Sequence, residues 1–206
     1  GVAVSGGSDS LALLHLLHDM GGIDLRCVTV DHGLRAGSAA EAAQVERICA
    51  GLGVPHGVLR WDGAGRGNLP DRARRGRYRL IADWAAVQGV EAVALGHTLD
   101  DQAETFLMRL AREAGVDGLA RMAGDFHRDG VRFLRPLLDV RRQDLRDWLA
   151  VRGIGWVDDP TNADPAYTRV RARQALAALR PLGIHVETLA AVAGHMAAAR
   201  LDLNFH

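Results

Sequence analysis

Val2-Ala3-Val4-Ser5-Gly6-Gly7-Ser8-Asp9-Ser10 opens the chain, and its reading decides the fold. Three apolar residues suited to a strand run into a Ser/Gly turn, and Leu11, Leu14 and Leu17 follow at helical spacing. A strand, turn and helix in this order leave backbone N–H groups aimed outward at the helix start. Glycines let an oxyanion approach closely and serine hydroxyls add donors, so a pyrophosphate fits. Asp9 departs from that anion-binding logic. A carboxylate among phosphate donors is most economically a Mg²⁺ ligand, because the cation bridges carboxylate and phosphate oxygens. The plain alternative is a Ser/Gly-rich cap that only starts a helix. A Walker A loop requires lysine, and all 25 basic residues are arginine, so kinase-like and GTPase-like P-loops are excluded. The dinucleotide pattern G-x-G-x-x-G is absent here too.

Working outward, apolar runs alternate with helical-period segments before residue 113. Candidate strands are Val2 to Val4, Leu25 to Val30, Gly57 to Trp61 and Glu91 to Leu95. This alternation predicts an α/β fold: a Rossmann-like open parallel sheet with flanking helices, followed by a small, mainly helical C-terminal segment. Ser38 with Glu41 has capping-box spacing, and Pro70 suits the first turn of a third helix. Between Ala114 and Gly130 the pattern dissolves into a glycine-containing connection, which predicts a boundary dividing residues 1–130 from 131–206. Beyond it come a helix over Arg141 to Val151, a turn at Asp158 to Asn162 and two Ala/Leu-rich helices.

The 206 residues hold 25 acidic and 25 basic side chains, so a polyanion would have to be held by local basic patches. Cys27 and Cys49 are the only cysteines and form no C-x-x-C motif, which points away from a disulfide framework, a zinc site or an iron–sulfur site. Cys27 falls inside a candidate strand and reads as a packing residue. No stretch approaches the roughly 20 apolar residues that span a bilayer, and no membrane role is expected; cytoplasm is the default. The short first strand suggests that residues precede Gly1.

Ser5 to Ser10 resembles the SGGxDS loop of the PP-loop (N-type) ATP pyrophosphatases, which cleave ATP between the α and β phosphates and adenylate their substrate. Further landmarks are Asp31-His32-Gly33-Leu34-Arg35, Ala73-Arg74-x-x-Arg77-Tyr78, Gly96-His97-x-x-Asp100-Asp101-Gln102-x-Glu104-Thr105, Arg135-Pro136-Leu137-Leu138 and Asp158 to Asn162. In this order they resemble the tRNA(Ile)-lysidine synthetases over nearly the whole chain. One departure is Val170, where that family commonly has asparagine. The resemblance implies a PP-loop domain in residues 1–130 and, in 131–206, a helical extension completing the catalytic domain. It also implies an ATP-dependent carbon–nitrogen ligase with ATP and Mg²⁺ as cofactors. The implied partners are an isoleucine tRNA with a CAU anticodon and free L-lysine; self-association is left open. Further C-terminal RNA-binding domains are common in such enzymes.

On that resemblance Ser5, Gly6, Gly7, Ser8, Asp9 and Ser10 would bind nucleotide, with His32, Gly96 and His97 at strand ends joining them. Asp9 and Asp101 would hold Mg²⁺, and Glu104 would meet the lysine cation; Asp9, Asp101 and Glu104 form the catalytic set. A helical projection puts Ala103, Phe106, Leu107 and Leu110 on the buried face of the helix near Asp100, with Asp101 and Glu104 facing away from the core; simple N-terminal capping would explain Asp101. In the third helix Ala73, Leu80, Ile81 and Trp84 project to the core, while Arg72, Arg75 and Arg79 form a stripe that is either a solvated face or a phosphate-binding one. Arg77 projects inward and should meet a carboxylate or a phosphate. Arg74, Arg77, Arg169 and Arg171 are the RNA-contact candidates. Trp61, Tyr78 and Trp156 are candidates to stack on the flipped cytidine, and spacing favours none. The rivals are a tRNA thiolase or a small-molecule adenylating ligase of the same superfamily, and a non-catalytic nucleotide-binding module.

Overall fold

The first strand-to-helix unit forms as its sequence dictates. The computed structural model describes residues 1–33, 38–63, 68–158 and 164–204. Expectations on Leu34 and Arg35, on residues 64–67 and on Asp159, Pro160, Thr161 and Asn162 lie outside these. Strand β1 (Val2–Ala3) leads into α1 (Ser8–Met20), whose Leu11, Leu13 and Leu14 are buried. Burying each such side chain contributes about 1.5–3 kcal/mol. Then come β2 (Cys27–Asp31), α2 (Ser38–Leu52), β3 (His56–Arg60), α3 (Leu69–Gln88) and β4 (Ala92–Leu95). All four strands pair in parallel in the order β3-β2-β1-β4. Residues that end β1, β2, β3 and β4 therefore share one edge of the sheet, where open α/β sheets take their ligands.

The sheet has two more strands than the sequence pattern suggested. β5 (Asp125–Arg128) and β6 (Val131–Leu134) form an antiparallel hairpin, and β6 pairs in parallel with β4. These strands are only four residues long and rich in charge, so alternation had too few positions to register. Their turn uses Asp129 and Gly130 at positive φ, 50° and 80°, so a boundary at residue 130 would fall inside it. Phe126, Phe133 and Tyr78 pack ring against ring beneath α3, together with Val28, Ile81, Ala85 and Val93.

The remaining helices are α4 (Leu99–Leu110), α5 (Val116–Leu119), α6 (Arg142–Val151), α7 (Thr168–Leu179) and α8 (Val186–Asn204). The chain separates into two compact units. The first comprises Gly1–Gly96, Gly124–Pro136 and Leu145–Val157, and the second His97–Ala123, Leu137–Asp144 and Asp158–His206. The first holds the whole sheet; the second is helical, with Ala103, Phe106, Leu176, Leu189 and Ala193 at its centre. No single described helix is long and apolar enough to cross a membrane.

Candidate functional site

In the first unit the Ser5–Ser10 loop is held by its own serines. The Ser5 amide donates to Ser10 Oγ at 3.1 Å, Ser10 Oγ donates to the Gly7 carbonyl at 3.1 Å, and the two hydroxyls of Ser5 and Ser10 lie 3.3 Å apart. Gly6 has φ +88°, which an L side chain rarely adopts. Gly7 caps α1 with extended backbone and supplies no side-chain acceptor. No side-chain cap thus satisfies the first turn of α1. Asp9 sits in that turn, and Ser8 Oγ donates to its Oδ1 at 3.0 Å. Gly96, just past β4, closes the loop from the side. A Cβ there would lie 2.9 Å from Ser10 Cα and 3.0 Å from the Asp9 carbonyl, all backbone, so the close approach demands glycine.

Two features of this loop were missed in the sequence. Arg146 Nε donates to Ser8 Oγ at 3.3 Å, and the Val157 amide donates to the Gly6 carbonyl at 3.0 Å. No local pattern around Arg146 announces its place beside this loop. His32 follows β2, with its ring edge-on to Trp61 at 5.8 Å between centroids. Burial, reinforced by the nearby Arg77 cation, holds its imidazole below the usual histidine range despite Asp31.

Within the second unit, α4 begins with a capping box: Thr98 Oγ1 accepts from the Asp101 amide, and the Thr98 amide donates to Asp101 Oδ2 at 2.9 Å. Asp101 and Glu104 were expected to face away from the core. Both are instead buried, Glu104 to 1% exposure. Arg142 and two arginines of α7, all in this unit, cover them. Arg142 reaches Asp101 at 3.2 Å and Glu104 at 3.0 Å; Arg169 reaches Asp101 at 2.9 Å and Glu104 at 3.5 Å; Arg173 Nε lies 2.6 Å from Glu104. Burial opposes ionisation of Asp101, but the Arg142 and Arg169 cations and the Thr98 amide outweigh it and hold the carboxyl below its usual range. Three guanidiniums thus converge on two carboxylates. Arg173 could have been read from its i,i+4 spacing to Arg169; Arg142 gives no such signal. Leu110, assigned to the buried face, is 49% exposed at the end of α4.

The other expected residues are distributed as follows. Arg74 and Arg77 stand 5.9 and 5.5 Å from the Tyr78 ring centroid, in the first unit. Arg171 donates to the Pro165 and Ala166 carbonyls and to Thr168 at the start of α7. His97 precedes the α4 cap, and its charge favours ionised Asp101. Asp9 stands in the first unit and Asp101 in the second. Among the described residues no group of three or more His, Cys, Asp or Glu converges as a metal site. Cys27 and Cys49, separate in sequence, meet in space: both are buried, and their thiols share a hydrogen bond that raises the Cys27 pKa.

The PP-loop domain family matches residues 1–179. A tRNA(Ile)-lysidine synthase of Ruegeria pomeroyi is 56% identical over all of this chain and half of its own length. One of Bradyrhizobium diazoefficiens is 47% identical over 96% of the chain and 56% of its own. The chain thus spans about half the length of these curated relatives. Among solved structures, the U34-tRNA thiolase NcsA of Methanococcus maripaludis superposes with a TM-score of 0.80 at 16% identity, covering 96% of this chain and 70% of that one. An NH3-dependent NAD synthetase of Campylobacter jejuni follows at 0.54 and 13%, over 96% and 82%. At those identities the likeness is one of fold.

Proposed function

The chain belongs to the PP-loop domain family, and from that premise we propose that it is the ATP-using part of a tRNA(Ile)-lysidine synthetase, working in the cytoplasm. The observation that carries the ATP reading is the Ser5–Ser10 loop: a helix start capped by Gly7, which supplies no side-chain acceptor, with Asp9 in its first turn and the Ser8 and Ser10 hydroxyls holding the loop in shape. It would take the β and γ phosphates, which become the pyrophosphate leaving group. In the first half-reaction the oxygen at carbon 2 of the wobble cytidine joins the α phosphate. In the second, the ε-amine of lysine takes that carbon and AMP departs. The names of the relatives support the choice of tRNA and lysidine over the other reactions of the superfamily.

Mg²⁺ fits the donor set at the loop. It binds through one or two carboxylates plus substrate phosphates rather than an all-protein cage, which suits a lone Asp9 beside serine hydroxyls. When bound, it would neutralise phosphate charge and favour departure of pyrophosphate. Asp101 suits a metal less well, since both its oxygens are engaged by Thr98, Arg142 and Arg169. We assign Asp101 and Glu104 the role of holding the guanidiniums of Arg142, Arg169 and Arg173 in place, where the partly exposed Arg169 and Arg173 would meet an anionic substrate group, such as a tRNA phosphate or the lysine carboxylate. Of the RNA candidates, Arg169 belongs to that cluster and Arg74 and Arg77 to the basic α3. Burial of both cysteines disfavours the thiolase alternative.

The deciding experiment is ATP–pyrophosphate exchange with and without an isoleucine tRNA bearing a CAU anticodon, followed by lysidine formation on adding lysine. Exchange that needs this tRNA is the expected result. Exchange indifferent to RNA would move the chain to a small-molecule ligase, and its absence under both conditions would remove the ATP reading.

A further inference from the structure

Charge in this neutral chain is unevenly spread: from Arg60 to Arg79 seven arginines face only two aspartates. Trp61 lies at the head of that segment, where its amide donates to the Asp31 carbonyl at 2.9 Å and continues the β2–β3 ladder by one residue. Its indole is partly exposed at the ligand-bearing edge of the sheet. Gly76 is the residue of α3 that seats it. A Cβ at Gly76 would lie 2.3 Å from Trp61 Nε1 and 2.6 Å from Cδ1. Glycine inside a helix costs about 1 kcal/mol relative to alanine, so α3 gives up intrinsic stability at the one point where the ring rests. His32 meets the ring edge-on, and the Arg72 guanidinium stands 6.0 Å from its centroid, at the outer limit of a cation–π contact. Of the two other candidate stacking residues, Tyr78 is 1% exposed within an aromatic cluster, and Trp156, half-buried like Trp61 and with a guanidinium at a similar distance, lies outside the arginine-rich Arg60–Arg79 segment.

We propose that Trp61, seated on Gly76 and braced by His32, is a stacking platform for an unpaired base of the tRNA, with the arginines of α3 taking the phosphates that flank it. The proposal rests on the tRNA reading above. An aromatic face beside a row of guanidiniums is the combination that binds single-stranded RNA: stacking tolerates any base, and the cations follow the backbone.

The test compares Trp61→Leu, Trp61→Phe and Gly76→Ala with the parent chain by filter binding of the CAU-anticodon tRNA and, separately, by ATP binding. Leucine fills space without stacking, so Trp61→Leu should weaken tRNA binding about fivefold to 150-fold, well beyond any change in ATP affinity, and Trp61→Phe should recover most of the loss. Gly76→Ala, which dislodges the indole while leaving every arginine, should reproduce the defect in part. Lowered melting temperatures with tRNA affinity intact would make Trp61 a packing residue and overturn the proposal. A loss confined to ATP would overturn it in favour of an adenine seat. If the parent chain binds ATP but not the tRNA, the tRNA reading itself fails and this platform with it.

Discussion

The Ser5–Ser10 loop of the first unit and the carboxylate cluster of the second both grew out of motifs visible in the sequence, yet they are built on different principles. At Ser5–Ser10 the groups that shape the loop are backbone amides and short hydroxyls, so six consecutive residues fix most of the geometry. At Asp101 and Glu104 the motif supplies only half of the site, and the other half comes from Arg142, Arg169 and Arg173, which lie 38 to 69 residues further along the chain. A backbone-built site presents donors to whatever arrives, whereas in one made of opposed side chains each group already has a partner within the protein. This difference predicts that substitutions in the loop should affect chemistry without affecting the fold, and that those in the cluster should affect both.

The largest effect should come from Asp9→Ala, with Mg²⁺-dependent pyrophosphate exchange falling about a hundredfold or more and the circular dichroism and melting temperature preserved. Exchange near the parent rate in a folded variant would remove Asp9 from the metal. Gly96→Ala should come next. Its Cβ would press on the backbone of Asp9 and Ser10, and a shift of up to 1 Å costs on the order of a hundredfold in rate. Such a loss with lysine dependence unchanged would set the loop apart from the cluster; an unaffected rate would mean that the close approach is dispensable.

Glu104→Gln reverses the pattern. With that charge gone, Arg142, Arg169 and Arg173 each lose an ion-pair partner, and removing a partner from a buried network costs about 3–5 kcal/mol. A lower denaturation midpoint and parallel loss of both half-reactions are expected, measured as pyrophosphate and lysidine across a lysine titration. A selective rise in the lysine requirement, without destabilisation, would make Glu104 a direct lysine ligand instead. The smallest effect concerns His32. Its folded pKa lies below the unfolded value of about 6.5, so between the two the unfolded chain binds more protons. The resulting stability is complete above pH 6.5 and is lost as pH falls through the folded pKa. His32→Gln should therefore flatten melting temperature against pH between about 7 and 5, and an unchanged slope would assign that dependence to other groups.

How much of this was legible follows from the same distinction. Local periodicity located β1 to β4 to within two residues or so, because each alternates with a long amphipathic helix. The β5–β6 hairpin escaped because four-residue charged strands, Asp125–Arg128 and Val131–Leu134, carry little period-two signal. At the Ser5–Ser10 loop, the place of Gly6, Gly7 and Asp9 between β1 and α1 could be read from the sequence alone. The burial of Asp101 and Glu104 could not, since a helical projection sees one helix and knows nothing of arginines arriving from others. Likewise the meeting of Cys27 with Cys49 depends on how α2 packs on β2, which no spacing rule encodes.

The edge strand β5 has a consequence for molecules meeting one another. Exposed strand edges are templates for intermolecular pairing and aggregation, and proteins suppress this with short, charged edges. β5 is four residues long and antiparallel; Asp125 is clasped by Arg132 of β6 at 3.1 Å through both oxygens, and Arg128 folds over Tyr78 at 4.5 Å. A second copy approaching this side of the sheet finds charge already committed within the hairpin and too few backbone groups to zip onto, so strand-to-strand polymerisation is discouraged at the edge where an unguarded β6 would have invited it.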